Sequence, residues 1–246
     1  VISKIFRYTW AVYFLFLFFL FFLLLYPFFL ILLNQRSTYP LAHKLRARWG
    51  RIILFLSGLR PQTTFVQPLD KKKVYVFAAN HFSYLDILSL NVQLGHYFRF
   101  MAKSELRKIP LFGIFFRTID ISVNRKSVTD SVYAFGYADR ALKDGDSLGI
   151  FPEGGIGNQV PKMRAFKSGA FKLAVENNVA IVPISLLDNW KRMPDGGLTS
   201  GGIPGRMRMI VHAPIETEDL DNADIPRLKN EVYDIIQKSV DSITFE

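Results

Sequence analysis

From Trp10 to Leu33 the chain carries no charged residue, and that run constrains the fold more than any other feature. As a helix rising about 1.5 Å per residue it is long enough to cross a hydrocarbon layer of about 30 Å. A cleaved secretory leader fits it less well, because the run outlasts the usual apolar segment and no small-x-small cleavage site follows Leu33. Pro27 leaves two arrangements open: one crossing helix with a kink, or a turn at which a shorter helix re-enters the same leaflet. Lys4 and Arg7 precede the run, whereas Arg36, Lys44, Arg46, Arg48 and Arg51 follow it. This bias places the C-terminal side in the cytoplasm.

Leu41 to Leu59 has a second pattern. Leu41, Leu45, Trp49, Ile52, Ile53 and Leu56 recur at helical spacing, with Lys44, Arg46, Arg48 and Arg51 at other positions. That suits a helix lying among anionic headgroups, and equally a helix packed on a folded domain. Residues 1–60 read as a membrane anchor with an amphipathic interfacial helix, and 61–246 as a separate folded domain.

Beyond the anchor, short apolar β-branched runs alternate with helical ones. Strands are expected at Val74–Ala79, Phe98–Ala102, Ile119–Val123, Ser147–Phe151, Ala180–Leu186 and Met207–Val211. Helices are expected at Tyr84–Leu94, Val128–Lys143, Lys167–Asn177 and Ile225–Ile243. The alternation predicts an α/β fold, a mixed and largely parallel sheet flanked by helices. Asp195–Gly205, with five glycines and one proline, reads as a surface connection or lid.

The formal net charge of +10 suits an anionic lipid surface or phosphorylated substrates. It also suits nucleic acid, but no nucleic-acid motif is present and the aromatic residues concentrate in the apolar run, so no nucleic-acid partner is expected. The chain has no Cys, which excludes disulfides and thiolate chemistry. His43, His81, His96 and His212 lie without ligand spacing, so no metal is expected.

Asn80-His81 follows one expected strand, and Asp86 stands five residues after His81. An imidazole titrates near neutrality and works better as a base when a carboxylate fixes its tautomer. Ser83-Tyr84-Leu85-Asp86 is also a capping-box-like start of a helix. Arg125 and Pro152-Glu153-Gly154 follow two other strands, and ligands gather at such carboxyl ends in α/β sheets. Glycines after Glu153 suit a tight turn that lets backbone approach a ligand closely, and Arg125 offers paired hydrogen bonds to a phosphate.

In this order, Asn80-His81 through Asp86, Met101-Ala102-Lys103-Ser104-Glu105-Leu106 with Ile109-Pro110-Leu111-Phe112-Gly113 and Arg125, Phe151-Pro152-Glu153-Gly154, and Val182-Pro183-Ile184 resemble the four blocks of the glycerolipid acyltransferase family. The resemblance covers most of Val74 to Ile215. It implies that His81 takes the proton of an acceptor hydroxyl, that Asp86 orients His81, and that the alcohol attacks the thioester of an acyl-CoA or acyl carrier protein without an acyl-enzyme. The acceptor is then a lysolipid at the membrane, lysophosphatidic acid first among them. Glu153 and Gly154 are implied in acceptor binding, with Arg125 and Lys103 as substrate-binding candidates and Lys167 behind them. The co-substrate is the thioester, and no further cofactor is implied. Ser83 suits a cap better than a nucleophile.

The sequence departs from the family after Glu153-Gly154. Gly155, Ile156 and Gly157 stand in place of Thr-Arg-Ser, and Asp120 stands where Gly is common. Losing one charge-assisted contact costs about 1.5 to 3 kcal/mol unless Lys162, Arg164 or Lys167 substitutes. A lyso-ornithine or lyso-glycine lipid is therefore the rival acceptor, and a noncatalytic membrane-binding module or a thioesterase are readings of other classes.

Overall fold

The computed structural model describes residues 2–124, 127–196 and 199–244. Its strands are β1 (Leu59–Phe65), β2 (Val76–Ala79), β3 (Phe98–Lys103), β4 (Ile121–Val123), β5 (Ser147–Ile150), β6 (Ile181–Leu186) and β7 (Gly205–Val211). They form one sheet in the order β1-β7-β6-β2-β5-β3-β4. All neighbours run parallel except β6 and β7. The helices are α1 (Ile2–Leu32), α2 (Tyr39–Leu56), α3 (Leu85–Gln93), α4 (Ile114–Arg117), α5 (Val128–Lys143), α6 (Gly169–Glu176), α7 (Asn189–Arg192) and α8 (Ile225–Thr244). Every strand expected from the sequence is present, with ends displaced by a residue or two. The added strand, β1, carries Pro61 and mostly polar residues, which only a sheet edge tolerates.

Alternation along β2 sends Val76 and Ala78 to one face, where α5, α6 and α8 pack through Ala138, Phe171 and Val232. Phe77 and Ala79 face Leu90 and Leu94 of α3 on the other side. Outside α3 lie α2 and then α1. Gly50 permits the α2–α3 approach, since a Cβ there would sit 2.5 Å from Val92 Cγ2 and 2.8 Å from Leu88 Cδ1.

The apolar run is helical straight through Pro27, and the chain reverses later, at a short 3-10 turn over Arg36–Thr38. The α1–α2 pair is antiparallel: Trp10 Nε1 donates to the Ser57 carbonyl at 2.9 Å and Tyr13 Oη to that of Leu56 at 3.3 Å. Both ends of α1 are tied to the sheet domain, by the Gly202 N–H to the Arg7 carbonyl at 2.9 Å and by Arg36 to Asp144 at 2.6 Å. One face of α1 is buried through Trp10, Phe14, Phe22 and Phe29, while Phe16, Leu24 and Ile31 are exposed. By length and composition its Ser3–Leu32 segment suffices to cross a membrane. The glycine-rich segment after Asp195 meets this helix end: a Cβ on Gly202 would lie 2.3 Å from the Trp10 ring.

The face of α2 differs from the expected one. Ala42, His43, Arg46, Trp49, Gly50 and Ile53 are buried, while Leu41, Ile52, Phe55 and Leu56 are exposed beside Lys44, Arg48 and Arg51. Small residues let the helix press inward, and the bulky apolar ones are left on an outer face mixed with cations. Arg46 tolerates burial because its Nη1 meets Asp120 Oδ2 at 2.6 Å.

His43, 5% exposed, packs edge-on to Tyr97 and Phe98. Burial first, and then the neighbouring Arg46 charge, push its pKa down to about 3. The fold thus holds His43 neutral, so its contribution is complete above the ordinary value of 6.5 and is lost as pH falls from there towards 3. We expect the unfolding midpoint to drop across this window, by the equivalent of a few kcal/mol at full protonation. A His43→Gln variant should show a shallower decline in thermal melts at stepped pH.

Candidate functional site

The carboxyl ends of β2 and β5 meet at one place because the two strands are parallel neighbours. Asn80, just past β2, bridges to β6: its Nδ2 donates to the Leu186 carbonyl at 2.9 Å and its Oδ1 accepts from the Leu186 N–H at 2.7 Å. The side chain thus extends the ladder where the strands diverge, which fixes the backbone that carries His81.

The His81 ring is stacked on Phe151, with centroids 4.0 Å apart and planes at 15°. Its Nδ1 lies 3.0 Å from Asp86 Oδ2. That same oxygen accepts the N–H groups of Phe82 at 2.7 Å and Ser83 at 2.8 Å. Capping and orienting are therefore not alternatives for Asp86. One carboxylate oxygen closes the turn before α3 and holds the imidazole, and the other, Oδ1, accepts Asn189 Nδ2 at 2.8 Å. Asp86 is fully buried, a setting a carboxylate tolerates when it is saturated with donors. Ser83 is not the N-cap, a place Tyr84 takes without a side-chain cap bond, but its hydroxyl is engaged: its Oγ donates to the Met193 carbonyl at 2.7 Å and accepts the Leu85 N–H at 3.1 Å.

Glu153 is 1% exposed and binds backbone with both oxygens. Oε1 accepts the His81 N–H and Oε2 the Arg164 N–H, each at 2.8 Å. Burial pushes its carboxyl up, against the pull of those two N–H groups. Glu153 thereby staples the turn after β5 to the His81 backbone and to the segment that returns from Lys162. Gly154 adopts φ +80° and sits beneath Lys167, whose Cε would be 3.0 Å from a Cβ there. The Arg164 stem lies over Gly157, 3.2 Å from the equivalent point.

Thus the structure brings His81, Asp86, Glu153 and Gly154 together. Lys103, at the end of β3, is an exposed side chain paired with Glu105 at 3.2 Å. Arg125 lies outside the described residues. Asn189 and the Phe151 ring went unrecognised in the sequence. Nothing local marks Asn189, which follows a different strand, whereas Phe151 was visible as part of its block but its stacking was not.

An apolar cavity of about 380 Å³ lies against the start of α3, with neither His81 nor Asp86 in its wall. Tyr84, Leu85 and Met193 line it on the side of the site, and Phe14 and Phe18 of α1 and Trp49 of α2 also contribute to its wall.

A family model described as Acyltransferase matches residues 43–187. The chloroplastic 1-acyl-sn-glycerol-3-phosphate acyltransferase of Arabidopsis thaliana is 35% identical over 68% of this chain and 45% of its own. The 1-acyl-sn-glycerol-3-phosphate acyltransferase of Borreliella burgdorferi is 28% identical over 78% of this chain and 76% of its own. The chain therefore spans less than half the length of the plant relative. The fold matches the crystal structure of PlsC, the 1-acyl-sn-glycerophosphate acyltransferase of Thermotoga maritima, with a TM-score of 0.80 over 99% of this chain and 98% of that one at 22% identity.

Proposed function

Since the chain belongs to the acyltransferase family, we propose that it moves an acyl group from an acyl thioester, acyl-CoA or acyl carrier protein, to the free hydroxyl of a lysolipid, in the first instance 1-acyl-sn-glycerol-3-phosphate to give phosphatidic acid. The observation that carries this reading is the His81–Asp86 contact through Nδ1. It leaves Nε2 as the nitrogen for the acceptor. Nε2 removes the hydroxyl proton as the oxygen attacks the thioester carbonyl, and the imidazolium returns that proton to the departing thiolate. Asp86 stabilises the imidazolium between these steps. The apolar cavity, of a size usual for small-molecule sites, seats the acyl chain. Phe14 and Phe18 then make the anchor helix part of the chain's binding surface.

Residues 1–60 serve as the membrane anchor of a catalytic domain at 61–246, with Leu59 and Arg60 already entering β1. With both ends of α1 tied to that domain, the helix lies along it and offers its apolar outer face to one leaflet, the cytoplasmic one by the charge bias of its flanks. Arg164 and Lys167, poised over Gly157 and Gly154, take the part of the missing family Arg and receive the acceptor's phosphate.

A second acceptor follows from Gly155-Ile156-Gly157: a lysolipid with an amino-acid headgroup. Detergent-solubilised protein given radiolabelled acyl-CoA with lysophosphatidic acid, lyso-ornithine lipid or no acceptor separates these readings by lipid chromatography. Labelled phosphatidic acid is the expected product. Selective labelling of the aminolipid moves the assignment to the second acceptor, and acceptor-independent release of fatty acid identifies a thioesterase.

A further inference from the structure

Opposite the His81 site, at the amino-terminal ends of β3 and β4, the surface holds a second hollow of different chemistry, about 540 Å³ in volume. Its wall carries Arg36, Arg99, Arg107, Arg117 and Arg140. These come from separate places in the sequence: the turn after α1, the start of β3, the segment after β3, the end of α4, and α5. Asp120 also lines it but is matched by Arg46. Asp144 and Asp146 bind Arg36 at 2.6 and 3.1 Å, and Asp146 reaches Arg99 at 3.4 Å. Asp144 is shared with Arg140 at 3.8 Å, so two carboxylates stand against the five guanidiniums of the wall, and Arg107 and Arg117 carry the unmatched positive charge. Among the described residues neither Arg107 nor Arg117 has a carboxylate in ion-pair range, and Arg117 Nη2 is steadied on the Arg107 carbonyl at 2.9 Å. Nothing in the acyl-transfer reading uses this cluster.

We propose that the hollow binds the phosphate of an anionic glycerophospholipid headgroup. Guanidiniums converging on one concave surface match phosphate oxygens with paired hydrogen bonds, which scattered surface charges do not. The position argues for a lipid over a soluble anion. Arg36 follows directly on the apolar helix whose last turns leave Leu30 49% and Ile31 71% exposed, so the hollow begins where the lipid-facing surface of α1 ends. Tyr137, 68% exposed, lines its rim, as aromatic residues do at the level of headgroups. An anionic lipid bound there clamps the end of α1 and α2 against the bilayer surface. This inference is independent of the reaction at His81, and it holds whichever acceptor is acylated.

Native mass spectrometry of the full chain, released from a neutral detergent, tests it with phosphatidylglycerol, phosphatidylcholine, inorganic phosphate and coenzyme A as probes. Phosphatidylglycerol should be retained in preference to phosphatidylcholine. The Arg107→Gln/Arg117→Gln variant should weaken that retention by roughly tenfold or more, given the strength of charge-assisted contacts. Arg140→Gln should weaken it also, and a Lys44→Gln/Arg48→Gln variant on the outer face of α2 should not. All of these side chains are exposed, so an unchanged thermal midpoint certifies each fold. Equal retention of the two lipids, or wild-type preference in the Arg107/Arg117 variant, overturns the site. Tight binding of inorganic phosphate that is lost in the Arg107→Gln/Arg117→Gln variant, with no preference between lipids, overturns the lipid assignment and makes the hollow a soluble-phosphate site.

Discussion

Replacing His81 by Ala is expected to lower acyl transfer by roughly 10²–10⁴-fold, the usual contribution of a positioned general base, with the protein still folded. The second half of that expectation follows from Asp86. Its Oδ2 keeps the Phe82 and Ser83 N–H groups and its Oδ1 keeps Asn189 Nδ2, so removing the imidazole leaves no bare buried carboxylate. Asp86→Ala would strip several donors of their partner at once, which confounds activity with folding. The clean measurement is therefore His81→Ala, assayed for labelled lipid product, with the thermal midpoint taken in parallel. Wild-type turnover in this variant would remove His81 from the chemistry. A noncatalytic membrane-binding role would then account for the fold, and complementation by His81→Ala would support it.

The sheet was readable because buried parallel strands are short, nearly uncharged runs, and β2, β5 and β6 are buried along their whole length. β1 was not, because an edge strand with Pro61 and exposed Arg60 and Gln62 has no periodic signal. In the site, His81, Asp86, Glu153 and Gly154 were readable because each sits in a compact block at a strand end. Their partners are backbone N–H groups or residues from distant segments, as with Glu153 reaching Arg164 and Asp86 reaching Asn189. Sequence spacing carries no record of such contacts. Arg46 is the sharpest case. Its position among Lys44, Arg48 and Arg51 suggested headgroups, yet it is 6% exposed, and only the fold reveals that Asp120, which lies far along the chain, is the reason.

Asp120→Gly, which installs the residue common at this position in the family, is expected to cost about 3–5 kcal/mol, the penalty for leaving one partner of a buried ion pair alone. For a chain of this size that lowers the unfolding midpoint by roughly 10 °C. Arg46 would keep only the His43 Nδ1 contact at 3.3 Å and its position over the Phe100 and Phe115 rings at 5.7 and 5.5 Å, none of which neutralises a guanidinium. Arg46→Leu should be harmful in the same way, since Asp120 would keep only the Phe100 N–H at 3.0 Å. The Arg46→Leu/Asp120→Gly double variant should be more stable than the sum of the two losses, because no buried charge is left bare, although the Phe100 N–H loses its acceptor. Additive losses in thermal or denaturant melts would show that the charges are not coupled. The pair also has a place in function. Arg46 and Asp120 both line the apolar cavity against α3, and Asp120 also lines the arginine hollow. Freed of Asp120, the Arg46 charge would lie bare at the wall of a cavity suited to hydrocarbon. Asp120→Gly should accordingly lose acceptance of long acyl chains below its melting range, and the double variant, with Leu at that wall, should recover it.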